Sequence, residues 1–164
     1  MTKYPLLMLL TAFIFLEVGC RGIPQQSIPA DNTEKPVFIK ENGTLKVKEG
    51  GKSCVLAENG IDYEVYVSPD AAMIAVETLL MSDLQIVRVY KKDPDGCFRP
   101  LKQALSTKLW HDLSKEEGFS IDEISHPRMK FLKWIGKEQI YIELSGELEK
   151  RVVDRNVSCD LQAL

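Results

Sequence analysis

Histidine is scarce in this chain. Only His111 and His126 occur among 164 residues, and neither has motif company. Nucleophilic catalysis by serine or cysteine needs a base and a group to orient it, so a hydrolytic triad has little to draw on. A His-Glu-x-x-His motif and a Gly-rich phosphate loop are both missing, which removes two common routes to metal hydrolysis and nucleotide binding. No apolar run reaches the roughly 20 residues of a membrane-crossing helix. No period of about 20 to 50 residues repeats, so repeat architectures are not indicated. Charge of one sign is also lacking. Lys and Arg number 21 against 24 Asp and Glu, a formal net charge of -3. That balance offers no basic face to nucleic acid.

What is present begins with Met1 to Cys20. Lys3 places a positive charge near the start, Pro5 to Leu16 is almost wholly apolar, and Glu17-Val18-Gly19-Cys20 closes the stretch. A basic start, a short apolar core and a small residue before polar chain describe a secretory signal. The Leu16-Glu17-Val18-Gly19-Cys20 end resembles the lipobox of bacterial lipoproteins. The resemblance implies that residues 1–19 are a signal peptide and that Cys20 is lipidated, palmitate included. Glu17 stands where that family carries Leu, Val or Ile. Asp after the cysteine favours inner-membrane retention in that family. Arg21 therefore implies the periplasmic face of the outer membrane. Ordinary cleavage near Gly22, giving a soluble secreted protein, and an uncleaved anchor stay open beside it.

Residues 20–35 read as the lipidated terminus and a tether. Pro24, Pro29, Ser27 and Asn32 come with few large apolar groups, too little to offset the entropy of ordering. Residues 36–164 read as one globular domain. Cys54, Cys97 and Cys159 remain after Cys20, and an exported protein could form one disulfide from them and leave one thiol over. Spacing alone does not choose the pair. The strand reading that follows favours Cys54 with Cys97. The spacings are too wide for a zinc site, and no metal or cofactor is expected.

Along the domain, Asn42-Gly43 between short apolar runs predicts a hairpin over 37–48. Strands are expected at 53–57, 61–67, 71–80 and 85–90, with Asn59-Gly60, Ser68-Pro69-Asp70 and Ser82-Asp83 as turns. In 61–67, Tyr63, Val65 and Val67 alternate with Asp62, Glu64 and Tyr66, which predicts one dry and one wet face, with Tyr66 exposed. The strand at 85–90 is apolar on both faces, the mark of a central strand covered twice. If these four strands form a meander, Cys54 and Cys97 lie toward one end of it. Ser68-Pro69-Asp70 and Ile74-Ala75 resemble the turn-and-strand unit of TolB-type β-propeller repeats, with Ala71 in place of that family's glycine. The likeness covers this turn alone and implies a shared local geometry, not a shared function. Asp93-Pro94-Asp95-Gly96 carries the core of a calcium loop without its distal ligands, and reads as a turn.

Leu105, Leu109, Trp110 and Leu113 form an apolar stripe, predicting an amphipathic helix over 106–117 capped by Ser106 and Gly118. His111 falls on its polar side. Asp112, Glu116, Glu117, Asp122 and Glu123 make an acidic cluster, a candidate contact for a basic partner or simply a solvated face. His126-Pro127 reads as a loop. Strands follow at 129–135, 139–144 and 151–158, the last an edge strand protected by its charges.

The fold expected is α+β and mostly β: an antiparallel meander of about seven to nine strands, in one twisted sheet or two layers, with one helix packed on it. The function expected is a lipid-anchored envelope protein with a non-catalytic binding module, inhibitor- or immunity-like, meeting an envelope protein partner. A carboxylate-based envelope hydrolase and a structural envelope component are the alternatives.

Overall fold

The hairpin signals open the described part of the chain, which in this computed structural model comprises residues 35–164. β1 (Val37–Glu41) and β2 (Thr44–Glu49) pair antiparallel across Asn42-Gly43. Both turn residues lie at positive φ, 49° and 73°, as a tight hairpin requires. β3 (Lys52–Ala57) pairs with β2 and completes a separate three-stranded sheet.

The second sheet has seven strands. β4 (Asp62–Val67), β5 (Met73–Leu79) and β6 (Gln85–Lys92) form an antiparallel meander. β7 (Phe98–Pro100) pairs with the far end of β6. After the helix α1 (Leu105–Glu117), β8 (Ser125–Trp134), β9 (Gln139–Leu148) and β10 (Arg151–Asp160) make a second antiparallel meander. The two meanders join where β8 meets β6 in parallel, Gln85 opposite Arg128.

Beyond that point the sheet folds back on itself. β4 and β8 are three ladder steps apart, about 14 Å in a flat sheet. Yet Tyr66 of β4 and Phe131 of β8 stack with ring centroids 4.3 Å apart. The indole N–H of Trp134 donates to the Tyr66 carbonyl at 3.3 Å. The bend is made in β8, whose register with β9 shifts between Ser125 and Arg128 and again between Phe131 and Lys133. Such bulges bend and twist the strand that carries them. His126, at φ 51°, sits in the first. His126-Pro127 is therefore not the expected loop but part of a strand.

Two apolar cores result, one on each face of β5. Met73, Ala75, Val87 and Val89 face Met129, Phe131, Ile140, Ile142 and Leu144, together with Leu105, Leu109, Trp110 and Leu113 of α1. On the other side Ile74, Val76, Tyr63 and Tyr90 face Leu45, Val47, Leu56 and Ala57 of the small sheet. Each fully buried Val, Leu, Ile, Met or Phe among them contributes about 1.5–3 kcal/mol.

The α+β, mostly β class expected is the class observed, with 55% of the described residues in strands and one helix among them packed on the sheets. Besides the parallel join of β8 to β6, which makes the large sheet mixed where an antiparallel meander was expected, its internal arrangement differs in four respects. Ten strands form among the described residues instead of seven to nine. β3 belongs with β1 and β2, not with the β4–β6 meander, so the Asn59-Gly60 turn is a crossing between sheets. There the Gly60 N–H donates to the Tyr63 hydroxyl at 2.8 Å, which donates to the Gly43 carbonyl at 2.5 Å. A Cβ at Gly60 would fall 2.4 Å from the Tyr63 ring, so only glycine lets the two sheets close here. The helix starts at Leu105 behind Ala104, with no side-chain cap, and Ser106 lies inside its first turn. Tyr66 is stacked on Phe131 instead of exposed, because the bend covers the face expected to be wet.

In the turn before β5, Ser68 Oγ accepts the Met73 N–H at 2.9 Å and donates to Asp70 Oδ1 at 2.8 Å. Ala71 lies beside them at φ 57°. A residue with a Cβ pays about 1–2 kcal/mol in that region, of which glycine's extra chain entropy would return part. Ala71→Gly is therefore expected to raise stability by about 0.5–1 kcal/mol. A urea midpoint that stays level or falls would contradict this.

Candidate functional site

The five acids of the cluster at 112–123 sit in different surroundings. Asp112 pairs with Lys108 at 2.7 Å along the helix. Glu117 turns inward, its side chain 10% exposed, with Oε2 2.8 Å from Arg151 and Oε1 2.8 Å from Arg155 on β10. The Arg155 N–H is not aimed at that oxygen, so this second contact is a charge attraction without a hydrogen bond. Glu123 accepts the Ser120 N–H at 3.2 Å, closing the turn after the helix. Glu116 and Asp122 stay exposed, with no ion-pair partner among the described residues. Three of the five carboxylates are thus fasteners.

Cys54 and Cys97 are joined by a disulfide, Cα atoms 5.9 Å apart. The pairing is the one expected, but it bridges two sheets, linking β3 to the turn before β7. Closing a loop of 43 residues contributes about 4 kcal/mol on the chain-entropy argument. Cys159 is the free thiol among the described residues; it is buried, and burial pushes its pKa up. Asp93 and Asp95, the calcium-like pair, are held by Arg99 at 2.6 and 2.9 Å. Cys20, the signal peptide and all but the end of the tether lie outside the described residues.

Two clefts hold polar groups that sequence reasoning did not single out. The first, of about 140 Å³, is lined by Asp62 and Glu64 of β4, Glu77 of β5 and Gln85 of β6. Glu64 and Glu77 are direct cross-strand partners, an unfavourable placement for two charges. Glu77 is 7% exposed. Its Oε2 accepts the Phe131 N–H at 2.7 Å, and its Oε1 accepts from the Gln85 amide. Burial raises its pKa, the nearby Glu64 charge adds to the rise, and the two hydrogen bonds oppose it. The Tyr66 hydroxyl donates to Glu64, and burial first, then that bond, pushes the phenol pKa up. Asp62 is held low by its bond with Lys40, 2.8 Å away. The signal that could have found this site was a lone carboxylate inside the apolar run Ile74 to Leu80.

The second cleft, of about 430 Å³, is lined by Asp83, His126, Arg128, Ser145, Gly146, Glu147 and Val152. His126 Nδ1 lies 2.6 Å from Asp83 Oδ2, and this bond holds the Asp83 carboxyl below its usual range. Arg128 donates to the carbonyls of Ser82 and Asp83 at 3.2 and 3.4 Å. Ser145 makes no hydrogen bond to His126 among the described residues. The pair ties the β5–β6 turn to the bulge in β8. His111, the other histidine, is exposed on the helix 3.9 Å from Asp112.

No protein-family model matches the chain, and no curated protein or solved structure is significantly similar to it.

Two outcomes follow from these carboxylates. A carboxyl whose pKa is raised on folding stabilises the fold fully below its ordinary value near 4.5, and that contribution is lost as pH rises through the folded value. Wild type is therefore expected to lose stability relative to Glu77→Gln as pH climbs from 4.5 toward neutrality. Superimposable pH–stability curves would refute the assignment. Glu117→Ala leaves Arg151 and Arg155 without their partner and should cost about 1–2 kcal/mol in chemical denaturation. Glu116→Ala, on the same turn, should cost less than about 0.5 kcal/mol.

Proposed function

We propose that this chain is a lipid-anchored envelope protein, held through Cys20 at the periplasmic face of the outer membrane, whose domain binds a partner instead of catalysing a reaction. The observation that carries the location is the Cys54–Cys97 disulfide. Such a bond persists in oxidising compartments and is rare in a reducing cytosol. It agrees with a leader that ends in a lipobox-like Gly19-Cys20. Support for the binding role comes from how the acids are used. Glu77, Glu117 and Asp83 each hold two parts of the fold together. An inhibitor- or immunity-like protein facing an envelope enzyme is the concrete form of this reading.

A carboxylate-based hydrolase is the second reading, favoured by the pairing of Glu64 with a buried Glu77. It ranks lower on size. The cleft of about 140 Å³ is half the lower end of ordinary small-molecule sites, about 300 Å³. Both oxygens of Glu77 already accept hydrogen bonds.

The anchoring is tested on the full chain expressed in a lipoprotein-processing bacterium. Wild type should fractionate with membranes, and intact mass should show cleavage before Cys20 plus acyl chains. Cys20→Ser should leave the membrane fraction. Unchanged membrane association of that variant removes the anchor. Cys54 and Cys97 reacting with a thiol reagent before reduction removes the argument for location.

A further inference from the structure

Two Asn-Gly steps occur in the chain, Asn42-Gly43 and Asn59-Gly60. Both asparagines are exposed and lie at positive φ, 49° and 63°. Asparagine is a thermally labile residue, and a following glycine has no Cβ to shield its own nitrogen. That nitrogen attacks the asparagine Cγ, its proton passes to solvent, ammonia leaves, and a five-membered succinimide forms. Water opens the ring at either carbonyl, giving aspartate or isoaspartate. Water is the only co-reactant, and nothing is oxidised or reduced.

The fold treats the two attacking nitrogens differently. The Gly43 N–H lies in the turn between β1 and β2 and donates to no backbone carbonyl among the described residues. The Gly60 N–H donates to the Tyr63 hydroxyl at 2.8 Å and to the Gly43 carbonyl at 3.2 Å. Gly60 is buried, and the Tyr63 ring against it is 2% exposed. Ring closure also requires the asparagine to leave the left-handed region, so it passes through a brief opening of the turn. Such openings are easiest where few buried contacts break. β1 is the outer strand of the small sheet, and none of its five residues is buried. Opening at Asn59 instead parts the two sheets at Tyr63 and strips a buried N–H of its acceptors.

We propose that Asn42 is a site of spontaneous deamidation, that the fold shields Asn59 from the same reaction, and that isoaspartate at 42 lifts the shield. The Gly43 carbonyl is the link. It accepts the Tyr63 hydroxyl at 2.5 Å as well as the Gly60 N–H. The two turns approach so closely that a Cβ at Gly43 would lie 3.2 Å from the Gly60 carbonyl oxygen. Isoaspartate carries the main chain through the former side chain and adds a methylene to a two-residue turn. That turn depends on positive φ at both residues, and the extra atom breaks its geometry. The Gly43 carbonyl is then displaced, the Tyr63 hydroxyl and the Gly60 N–H lose their shared acceptor, and the Gly60 nitrogen is released to attack Asn59. Conversion runs in order, 42 and then 59.

This inference depends neither on the binding role nor on the anchor. The test holds the full-length chain in detergent at mildly alkaline pH, which speeds ring closure, and follows both sites by peptide mapping that separates aspartate from isoaspartate. Early in the incubation Asn42 should convert about tenfold faster than Asn59. Asn59 should follow after a lag, and the Gly60 amide should exchange its hydrogen faster once isoaspartate stands at 42. In urea, with the fold gone, the two sites should convert at similar rates. Asn42→Gly keeps a turn sequence suited to the hairpin but cannot convert, so Asn59 should hold its slow early rate. Tyr63→Phe, which removes the hydroxyl alone, should abolish the lag at Asn59. The proposal is overturned if Asn59 keeps pace with Asn42 in the folded chain or if Asn42 stays intact there. It is also overturned if Asn42→Gly leaves the later rise at Asn59 unchanged, or if Tyr63→Phe leaves the lag in place.

Discussion

Both faces of β5 have to be kept dry. Met73 to Thr78 are all buried, so one sheet face cannot be surrendered to water as in an ordinary two-layer β protein. Every larger feature answers to that demand. The small sheet β1–β3 covers one side, and the folded-back β8–β10 layer with α1 covers the other. The bend in β8 is the means. It costs a left-handed His126 and the loss of regular pairing with β6, and it gains the stacking of Tyr66, Phe131 and Trp134.

A strand that leaves its ladder strands its own backbone groups. Phe131 N–H is one of these, and the Glu77 carboxylate reaches it from β5. This is why an acid is tolerated within an apolar strand. Glu117 serves in a comparable way at the carboxyl end of α1, where it holds Arg151 and Arg155 of the edge strand β10. A negative side chain is poorly placed at that end of a helix, and the two arginines reverse the local balance.

Local signals in the chain were read well where a single element decides its own form. The Asn42-Gly43 hairpin, the Leu105, Leu109, Trp110 and Leu113 stripe, the Gly118 stop and the two-sided character of 85–90 all follow from short-range chemistry. Helix and strand boundaries slipped, by one or two residues at Leu105 and β5 and by four at the start of β8 and the end of β9. What could not be read was which strand sits beside which. Asn59-Gly60 looks like a second hairpin turn, yet Tyr63 closing on Gly60 makes it a junction between sheets. The disulfide pairing was reached although β3 lies in the other sheet, since the two layers bring Cys54 and Cys97 together by stacking instead of by pairing. The acidic run at 112–123 gave no hint that Glu117 turns inward, because its partners lie more than thirty residues away.

The bond between Cys54 and Cys97 also has a mechanical consequence. β4, β5 and β6 lie inside the covalent loop it closes. Tension entering at Val37 runs through β1 and β2 to Cys54 and then crosses the sulfur bridge to Cys97, so the middle layer carries none of it. Under load β1 peels from β2 first, and slack stops at the bridge after roughly 60 Å of extended chain. The central strands stay folded behind a covalent bypass while the outer hairpin acts as a spring.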